Sequence, residues 1–152
     1  MTDGYHPVLV QLPLVREATG TRCREPADVF RACADLARLA QEAFHVLCVD
    51  QKNMLVARHM ITLGLVDSSL VHPREVFRPA IECNSASVIL VHNHPSGDPT
   101  PSAEDLRITR QLVDAGKIID IRVLDHVIVG RPSEGSPNGW LSLRESGLAG
   151  FA

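Results

Sequence analysis

The sequence lacks both a long apolar run and any cluster of Lys and Arg. No stretch approaches the roughly 18 consecutive apolar residues of a membrane-spanning helix, and the formal net charge of the chain is −3. A basic stripe with interleaved aromatic residues, which is the electrostatic footprint of a nucleic-acid binder, is also missing. These absences argue against a membrane role and against a dedicated nucleic-acid interface.

Cysteines are few, and no two of them form a CxxC pair. The segment from Met1 to Leu14 has no basic region that leads into an apolar segment and a cleavage site, so it does not resemble a secretory signal. We therefore expect a cytoplasmic protein whose cysteines are reduced and are not metal ligands. The four cysteines are Cys23, Cys33, Cys48 and Cys83.

The composition is that of one globular domain. Of the 152 residues, 45% are apolar and 22% are charged, and a chain of this length can bury a continuous core without disulfides. We expect an N-terminal extension over residues 1–26 and a single domain over residues 27–152. No pattern in the sequence indicates an oligomeric state.

The spacing of apolar residues predicts three main helices. Because proline is tolerated in the first turn of a helix, Pro26 and Pro73 mark two helix starts, and Ser102 is a suitable N-cap for the third. Gly116 is the type of residue that ends a helix. The predicted helices cover Pro26–Gln41, Pro73–Cys83 and Ser102–Gly116.

Runs of β-branched and aromatic residues predict a sheet beside these helices. The run from Ser87 to Val91 is apolar at consecutive positions, which is typical of a strand buried on both faces in the middle of a sheet. Strands and helices together predict a mixed α/β sandwich. The predicted strands cover Phe44–Val49, Met54–Ile61, Ser87–Val91, Ile118–Leu124 and His126–Val129, with Trp140–Leu143 as a short edge strand.

The segment from His92 to Asp105 carries the densest group of chemically active side chains. On an extended backbone, residues i and i+2 point to the same side, so His92 and His94 can offer both imidazoles to one point. A loop rich in Pro and Gly follows, and it can fold the chain back so that Asp105 adds an oxygen ligand. Three protein ligands and one open position are the arrangement of catalytic zinc. The pattern predicts one Zn²⁺ per chain.

Each part of this pattern also has an ordinary structural explanation. Two histidines at the end of a strand are commonly surface polar residues. Ser102 followed by Asp105 is a helix-capping pair, which stabilises a helix start without any chemistry. The metal-site interpretation is favoured because the parts occur together. An HxHP sequence is followed closely by a Ser-x-x-Asp pair, and both come directly after a predicted buried strand.

The complete pattern resembles the JAMM metal signature of JAB/MPN hydrolases, and it fits every position of that signature: HxH, seven residues, Ser, two residues and Asp. Three segments resemble the RadC branch of these proteins in their amino-acid sequence. They are His92 to Gly97, Leu124 to Gly130 and Pro73 to Phe77. The resemblance covers about Gln41 to Gly130. It implies an α/β (α+β) fold, a single JAB/MPN domain with the cytidine-deaminase-like three-layer arrangement, in which helices flank a mixed central sheet.

The resemblance also implies an activity and roles for individual residues. It implies a zinc-dependent hydrolase of amide bonds in a protein or peptide, with a water activated by the metal and a glutamate as general base. In the family this glutamate lies between the first long helix and the first core strand, where Glu42 stands here. Ser102 would help to stabilise the oxyanion. The glutamate candidates are Glu42, Glu75, Glu82 and Glu104.

Some residue roles stay open at this point. Glu42 is otherwise a solvated carboxylate at a helix end, and Asn93 is a candidate for lining the cleft. Asp125 and His126 either form a second layer around the metal ligands or brace the sheet.

Two other functions stay open as well. RadC-like proteins are commonly labelled as DNA-repair factors, so an accessory role in DNA repair or processing without peptidase activity is the alternative. However, residues 1–26 are too few for the helix-hairpin-helix module that longer members carry upstream, and no basic patch supports DNA binding. A scaffold subunit of the MPN class that has lost its metal is the third possibility, but such domains usually lack the ligands present here.

Overall fold

A computed structural model describes residues 20–64 and 71–151 of the chain. Most of the predicted N-terminal extension, residues 1–19, lies outside this part. Within it, no helix combines the length and apolarity that crossing a membrane requires. The helices are α1 (Pro26–Ala32), α2 (Pro73–Glu82), α3 (Ala103–Ile119) and α4 (Leu143–Ser146), and the strands are β1 (Ala43–Val49), β2 (Leu55–Leu63), β3 (Ser87–Asn93), β4 (Arg122–Val129) and β5 (Trp140–Ser142).

The strands form one mixed sheet in the order β2-β1-β3-β4-β5. β1 is antiparallel to both β2 and β3, β4 runs parallel to β3, and β5 is antiparallel to β4. Every residue of β1 is buried, and so is every residue of β3 from Val88 onward. The predicted mixed sheet, with a doubly buried central strand and a short edge strand at Trp140, is confirmed.

The sheet has a packed core on each face. Alternate side chains of a strand point to opposite faces, so Phe44 and Val46 pack on the side of α2 and α3, whereas Leu47 and Val49 pack on the side of α1. The result is the predicted arrangement of a mixed sheet flanked by helices. It places the end of the central strand β3 next to the beginning of β1, where His92 pairs with Phe44.

The predicted first helix is wrong in its second half. The α-helix ends at Ala32, and a separate 3₁₀ turn covers Ala34–Arg38. The break lies where Arg58 of β2 contacts this segment. The Arg58 guanidinium donates to the Ala32 carbonyl at 3.1 Å and to the Asp35 carboxylate at 2.7 and 2.9 Å. The Ala32 carbonyl therefore has a hydrogen-bond partner in Arg58 and does not need an amide from another turn of α-helix.

The prediction that Gly116 ends the third helix is also wrong. α3 ends at Ile119, and the C-cap residue Asp120 adopts a left-handed conformation with φ of 58°. Glycine is needed at position 116 for close packing instead. A Cβ atom there would lie 2.5 Å from the Ile121 carbonyl oxygen and 3.3 Å from Cζ of Phe77. A glycine inside a helix can therefore mark a close approach of two segments and not a helix end.

The two strands predicted at Ile118–Leu124 and His126–Val129 are one continuous strand, β4, preceded by the end of α3. The predicted interruption at Asp125 does not occur, because residues of β5 and α4 supply partners for this carboxylate. It accepts a hydrogen bond of 2.6 Å from the Ser142 hydroxyl and one of 3.1 Å from the Arg144 amide. Asp125 thus braces β5 and the start of α4 against β4.

Candidate metal centre

His92 and His94 lie at the end of the central strand β3. The His94 amide donates to the Val129 carbonyl at 2.9 Å, so pairing with β4 continues past the last residue of β3. The extended backbone points both imidazoles the same way, and their Nε2 atoms are 3.0 Å apart. His92 is almost fully buried, whereas the side chain of His94 is 15% exposed. One face of the pair is therefore open.

The loop after His94 is held against the end of β4. The Arg131 guanidinium donates to the carbonyls of Pro95 and Ser96 at 3.2 and 3.1 Å. Gly97 adopts a φ of +89°, a conformation that other residues rarely take. The Asp98 carbonyl lies 2.8 Å from Nδ1 of His94. If Nδ1 donates to this carbonyl, the lone pair of the ring is on Nε2, the atom that faces His92.

Asp105 reaches the two histidines from the first turn of α3. Its amide donates to the Ser102 hydroxyl at 3.0 Å, and the Ser102 amide donates to Oδ2 of Asp105 at 2.9 Å. This capping box fixes the carboxylate, whose Oδ1 lies 3.3 Å from Nε2 of His92 and whose Oδ2 lies 3.1 Å from Nε2 of His94. The capping role of this pair and its contact with the histidines therefore coexist.

Glu42 approaches the same point from the chain just before β1. Its Oε1 lies 3.6 Å from Nε2 of His92 and 3.8 Å from Nε2 of His94. These distances are longer than those of Asp105, and the Glu42 side chain is 25% exposed. Of the four glutamate candidates from the sequence, Glu42 is the one that lies beside His92, His94 and Asp105.

The other glutamate candidates lie on the surfaces of helices. Each is paired with an arginine of its own helix, and the ion pairs are Glu75 with Arg74, Glu82 with Arg78 and Glu104 with Arg107.

The backbone around Glu42 is held by a buried asparagine. Asn93 is 1% exposed, its Oδ1 accepts from the Ala43 amide at 2.7 Å, and its Nδ2 donates to the Gln41 carbonyl at 3.0 Å. The Glu42 carbonyl accepts from the Gly64 amide at 2.8 Å. Asn93 thus fixes both peptide groups that flank Glu42. The sequence suggested that it lines the cleft, and its contacts with residues some 50 positions earlier were not visible there.

The donor atoms of Glu42, His92, His94 and Asp105 all lie within 4.8 Å of one another, so the group can hold a metal ion. In a tetrahedral site with bonds of about 2.0–2.1 Å, ligand atoms are about 3.3–3.4 Å apart. The two imidazole Nε2 atoms are 3.0 Å apart, and each has one oxygen of Asp105 at a similar distance, Oδ1 at 3.3 Å from His92 and Oδ2 at 3.1 Å from His94. Two imidazoles and one carboxylate also suit a divalent transition metal.

The charges of the group are coupled. Burial opposes ionisation of Asp105, yet the adjacent His92 and His94 imidazoles hold the pKa of this carboxyl well below its usual range. Burial also opposes protonation of His94, but hydrogen bonds to Asp105 and to the Asp98 carbonyl raise the pKa of its imidazole. The carboxylate is therefore ionised at neutral pH and available to a cation.

Two further polar side chains lie behind His92, away from the open face. Nδ1 of His92 is 2.7 Å from Nε2 of His126, and Nδ1 of His126 is 2.6 Å from the Thr109 hydroxyl. That hydroxyl donates to the Asp105 carbonyl at 2.7 Å. Burial, followed by the nearby His92 ring, places the pKa of His126 well below its ordinary value. From the sequence alone, helical spacing predicts that Thr109 faces the core and indicates no further role for it.

Comparison with known proteins identifies the family of the chain. A family model described as RadC-like JAB domain matches residues 23–148. A UPF0758 protein of Listeria monocytogenes is 46% identical over 132 residues, which are 87% of this chain and 56% of the relative. A UPF0758 protein of Caldanaerobacter subterraneus is 47% identical over 127 residues, or 83% of this chain and 52% of the relative.

A third relative, a UPF0758 protein of Syntrophomonas wolfei, is 52% identical over 112 residues, covering 70% of this chain and 48% of the relative. The chain thus spans about half the length of the curated relatives it matches. The family match spans all four residues of the candidate metal-binding group, and JAB domains include metal-dependent hydrolases. The chain belongs to the RadC-like JAB domain family.

Proposed function

We propose that the chain is a zinc-dependent hydrolase of amide bonds in a peptide or isopeptide substrate. The observation that supports this most strongly is the convergence of His92, His94 and Asp105: the two Nε2 atoms are 3.0 Å apart, and each has an Asp105 carboxylate oxygen within 3.1–3.3 Å. Three such ligands leave a fourth position of a tetrahedral zinc ion open, as catalytic sites do.

The choice of zinc follows from the donors and from the reaction. Mg²⁺ and Ca²⁺ prefer sites made of oxygen atoms, whereas imidazole nitrogen suits zinc and its neighbours among the transition metals. Hydrolysis of an amide needs no change in oxidation state. A zinc ion held here would polarise the substrate carbonyl and make a water acidic enough to lose its proton near neutral pH.

Glu42 is the proposed general base. Its Oε1 lies beside the two histidine Nε2 atoms without being as close to them as Asp105 is. It would take the proton of the attacking water on a carboxylate oxygen and pass this proton to the leaving nitrogen. Asn93 and Gly64 hold the backbone of Glu42, so the position from which its side chain extends is fixed before substrate arrives.

Ser102 is the proposed donor to the oxyanion. Its Oγ accepts from the Asp105 amide, and the residue is exposed at the start of α3. Because Oγ accepts from the amide and the residue is exposed, its hydroxyl proton would be offered to a substrate oxygen. A hydroxyl that is already fixed by a helix cap needs little reorganisation when the oxyanion forms.

The proposal predicts hydrolysis that depends on zinc. The chain is stripped with a chelator, reloaded with one equivalent of Zn²⁺ and incubated with a pool of linear peptides and a pool of isopeptide-linked peptides. New amino groups, detected by mass spectrometry, are expected with the reloaded chain and not with the stripped one, because His92, His94 and Asp105 act only through the metal. A folded, zinc-loaded chain that cleaves neither pool would contradict the proposal.

A further inference from the structure

The proposed mechanism leaves unexplained why two buried polar side chains continue a series of contacts that begins at the proposed ligand His92. His92, His126 and Thr109 are each at most 1% exposed, and they contact one another in series at 2.7 and 2.6 Å. The series ends at the Asp105 carbonyl, 2.7 Å from the Thr109 hydroxyl. Because buried polar atoms are normally hydrogen-bonded, these groups have to satisfy one another.

The positions of the protons follow if a metal binds Nε2 of His92. A neutral imidazole that gives its Nε2 lone pair to a metal carries its proton on Nδ1. This Nδ1–H donates to Nε2 of His126, which therefore has to be unprotonated. The single proton of His126 is then on Nδ1 and is donated to the Thr109 hydroxyl oxygen. The Thr109 hydroxyl in turn donates to the Asp105 carbonyl, so each polar hydrogen has an acceptor.

The reverse direction would work against the site. If His126 carried its proton on Nε2, it would donate to Nδ1 of His92. The proton of His92 would then be on Nε2, the atom that faces His94 and Asp105, and no lone pair would remain for a metal. The acceptor at the Thr109 end decides between the two directions, because a Thr109 hydroxyl that donates to the Asp105 carbonyl offers its oxygen to His126.

We propose that Thr109 and His126 are positioning residues that fix the tautomer of His92, so that its Nε2 lone pair faces the metal position. The inference rests on the proposed function to the extent that a metal binds at this nitrogen. It also connects the three elements β3, β4 and α3, because the series starts at one ligand, His92, and ends on the backbone of another, Asp105.

A matched pair of substitutions at position 109 tests this. Thr109→Val keeps the shape of the side chain and removes the hydroxyl, whereas Thr109→Ser keeps the hydroxyl. Zinc affinity, measured by competition with a chelator, is expected to fall by about 10–100-fold in Thr109→Val, as for other losses of a partner to a metal-bound histidine. It is expected to stay close to wild type in Thr109→Ser. Equal zinc affinity in folded Thr109→Val and wild type would overturn the proposal.

A second readout needs no metal. In the zinc-free wild-type chain, NMR of the ring nitrogens is expected to show His92 and His126 both protonated on Nδ1, and this pattern should be lost in Thr109→Val. Protonation of His126 on Nε2 in the wild type would overturn the proposal. A wild type that binds no zinc but shows both rings protonated on Nδ1 would contradict the proposed function and support the tautomer assignment.

A pair of substitutions at position 126 supplies the same comparison if Thr109→Val does not fold. His126→Gln can place an amide oxygen near the position of Nε2 and accept from Nδ1 of His92, whereas His126→Leu removes the acceptor. Zinc affinity is expected to be lower in His126→Leu than in His126→Gln. Equal affinity in the two folded variants would overturn the proposal.

Discussion

Glu42→Gln is expected to keep the metal and the fold while lowering kcat for amide hydrolysis by about 10²–10⁴-fold, the usual contribution of a general base. The substitution removes the proton acceptor without removing any of the three proposed ligands. It also leaves the backbone contacts of residue 42 in place, because Asn93 and Gly64 bind main-chain atoms there. The measurement is kcat on a cleaved peptide, with zinc content determined on the same samples.

Glu104→Gln is the matched control for this prediction. Glu104 lies in the first turn of α3, one residue before Asp105, but its carboxylate pairs with Arg107 on the surface of the helix. The variant is expected to keep both zinc and kcat. Loss of zinc from Glu42→Gln would identify Glu42 as a ligand, and unchanged turnover would assign the base to another group.

Ser102→Ala is expected to lower kcat by about 10²–10³-fold, the effect of removing one donor to an oxyanion. Loss of the helix cap should also cost about 0.5–2 kcal/mol in the free energy of unfolding. The two effects are separable, because stability is measured by unfolding and kcat can be measured well below the melting range at equal zinc content.

Ser102→Thr provides the control, since threonine keeps a hydroxyl that can both cap the helix and donate to substrate. It is expected to retain most of the wild-type kcat. If Ser102→Ala is destabilised but also retains most of its kcat, the serine is structural and the oxyanion assignment is wrong.

The centre of the fold could be predicted because its signals are local. The consecutive apolar run from Ser87 to Val91 indicated a strand buried on both faces, and β3 is the central strand of the sheet. The alternation of an extended backbone then implied that His92 and His94 point the same way, and their Nε2 atoms are 3.0 Å apart. Ser102 and Asp105 form a capping box, and the Ser-x-x-Asp spacing of such a box can be recognised from the sequence alone.

Other features could not be predicted because they depend on contacts between distant segments. The first helix ends early where Arg58 of β2 contacts the Ala32 carbonyl. Gly116 is needed because Ile121 and Phe77 pack against it. His126 is 34 residues from His92, and nothing in the local pattern of either residue indicates that their rings meet.

The roles of the polar residues that support the site could not be predicted from the sequence for a related reason. Thr109 occupies a position that faces the core, where helical spacing predicts only packing, and its hydroxyl is satisfied within the helix at the Asp105 carbonyl. Asn93 lies between the two histidines of the HxH pattern and points away from them, to the backbone beside Glu42. Such roles follow from donor and acceptor positions in three dimensions.

The most direct test of a metal centre at His92, His94 and Asp105 is the zinc content of the purified chain and of the double variant His92→Ala/His94→Ala, measured by elemental analysis after dialysis. We expect about one tightly bound zinc per wild-type chain and none in the double variant, because Asp105 and Glu42 alone cannot complete the site. Full zinc occupancy in the folded double variant would contradict the assignment.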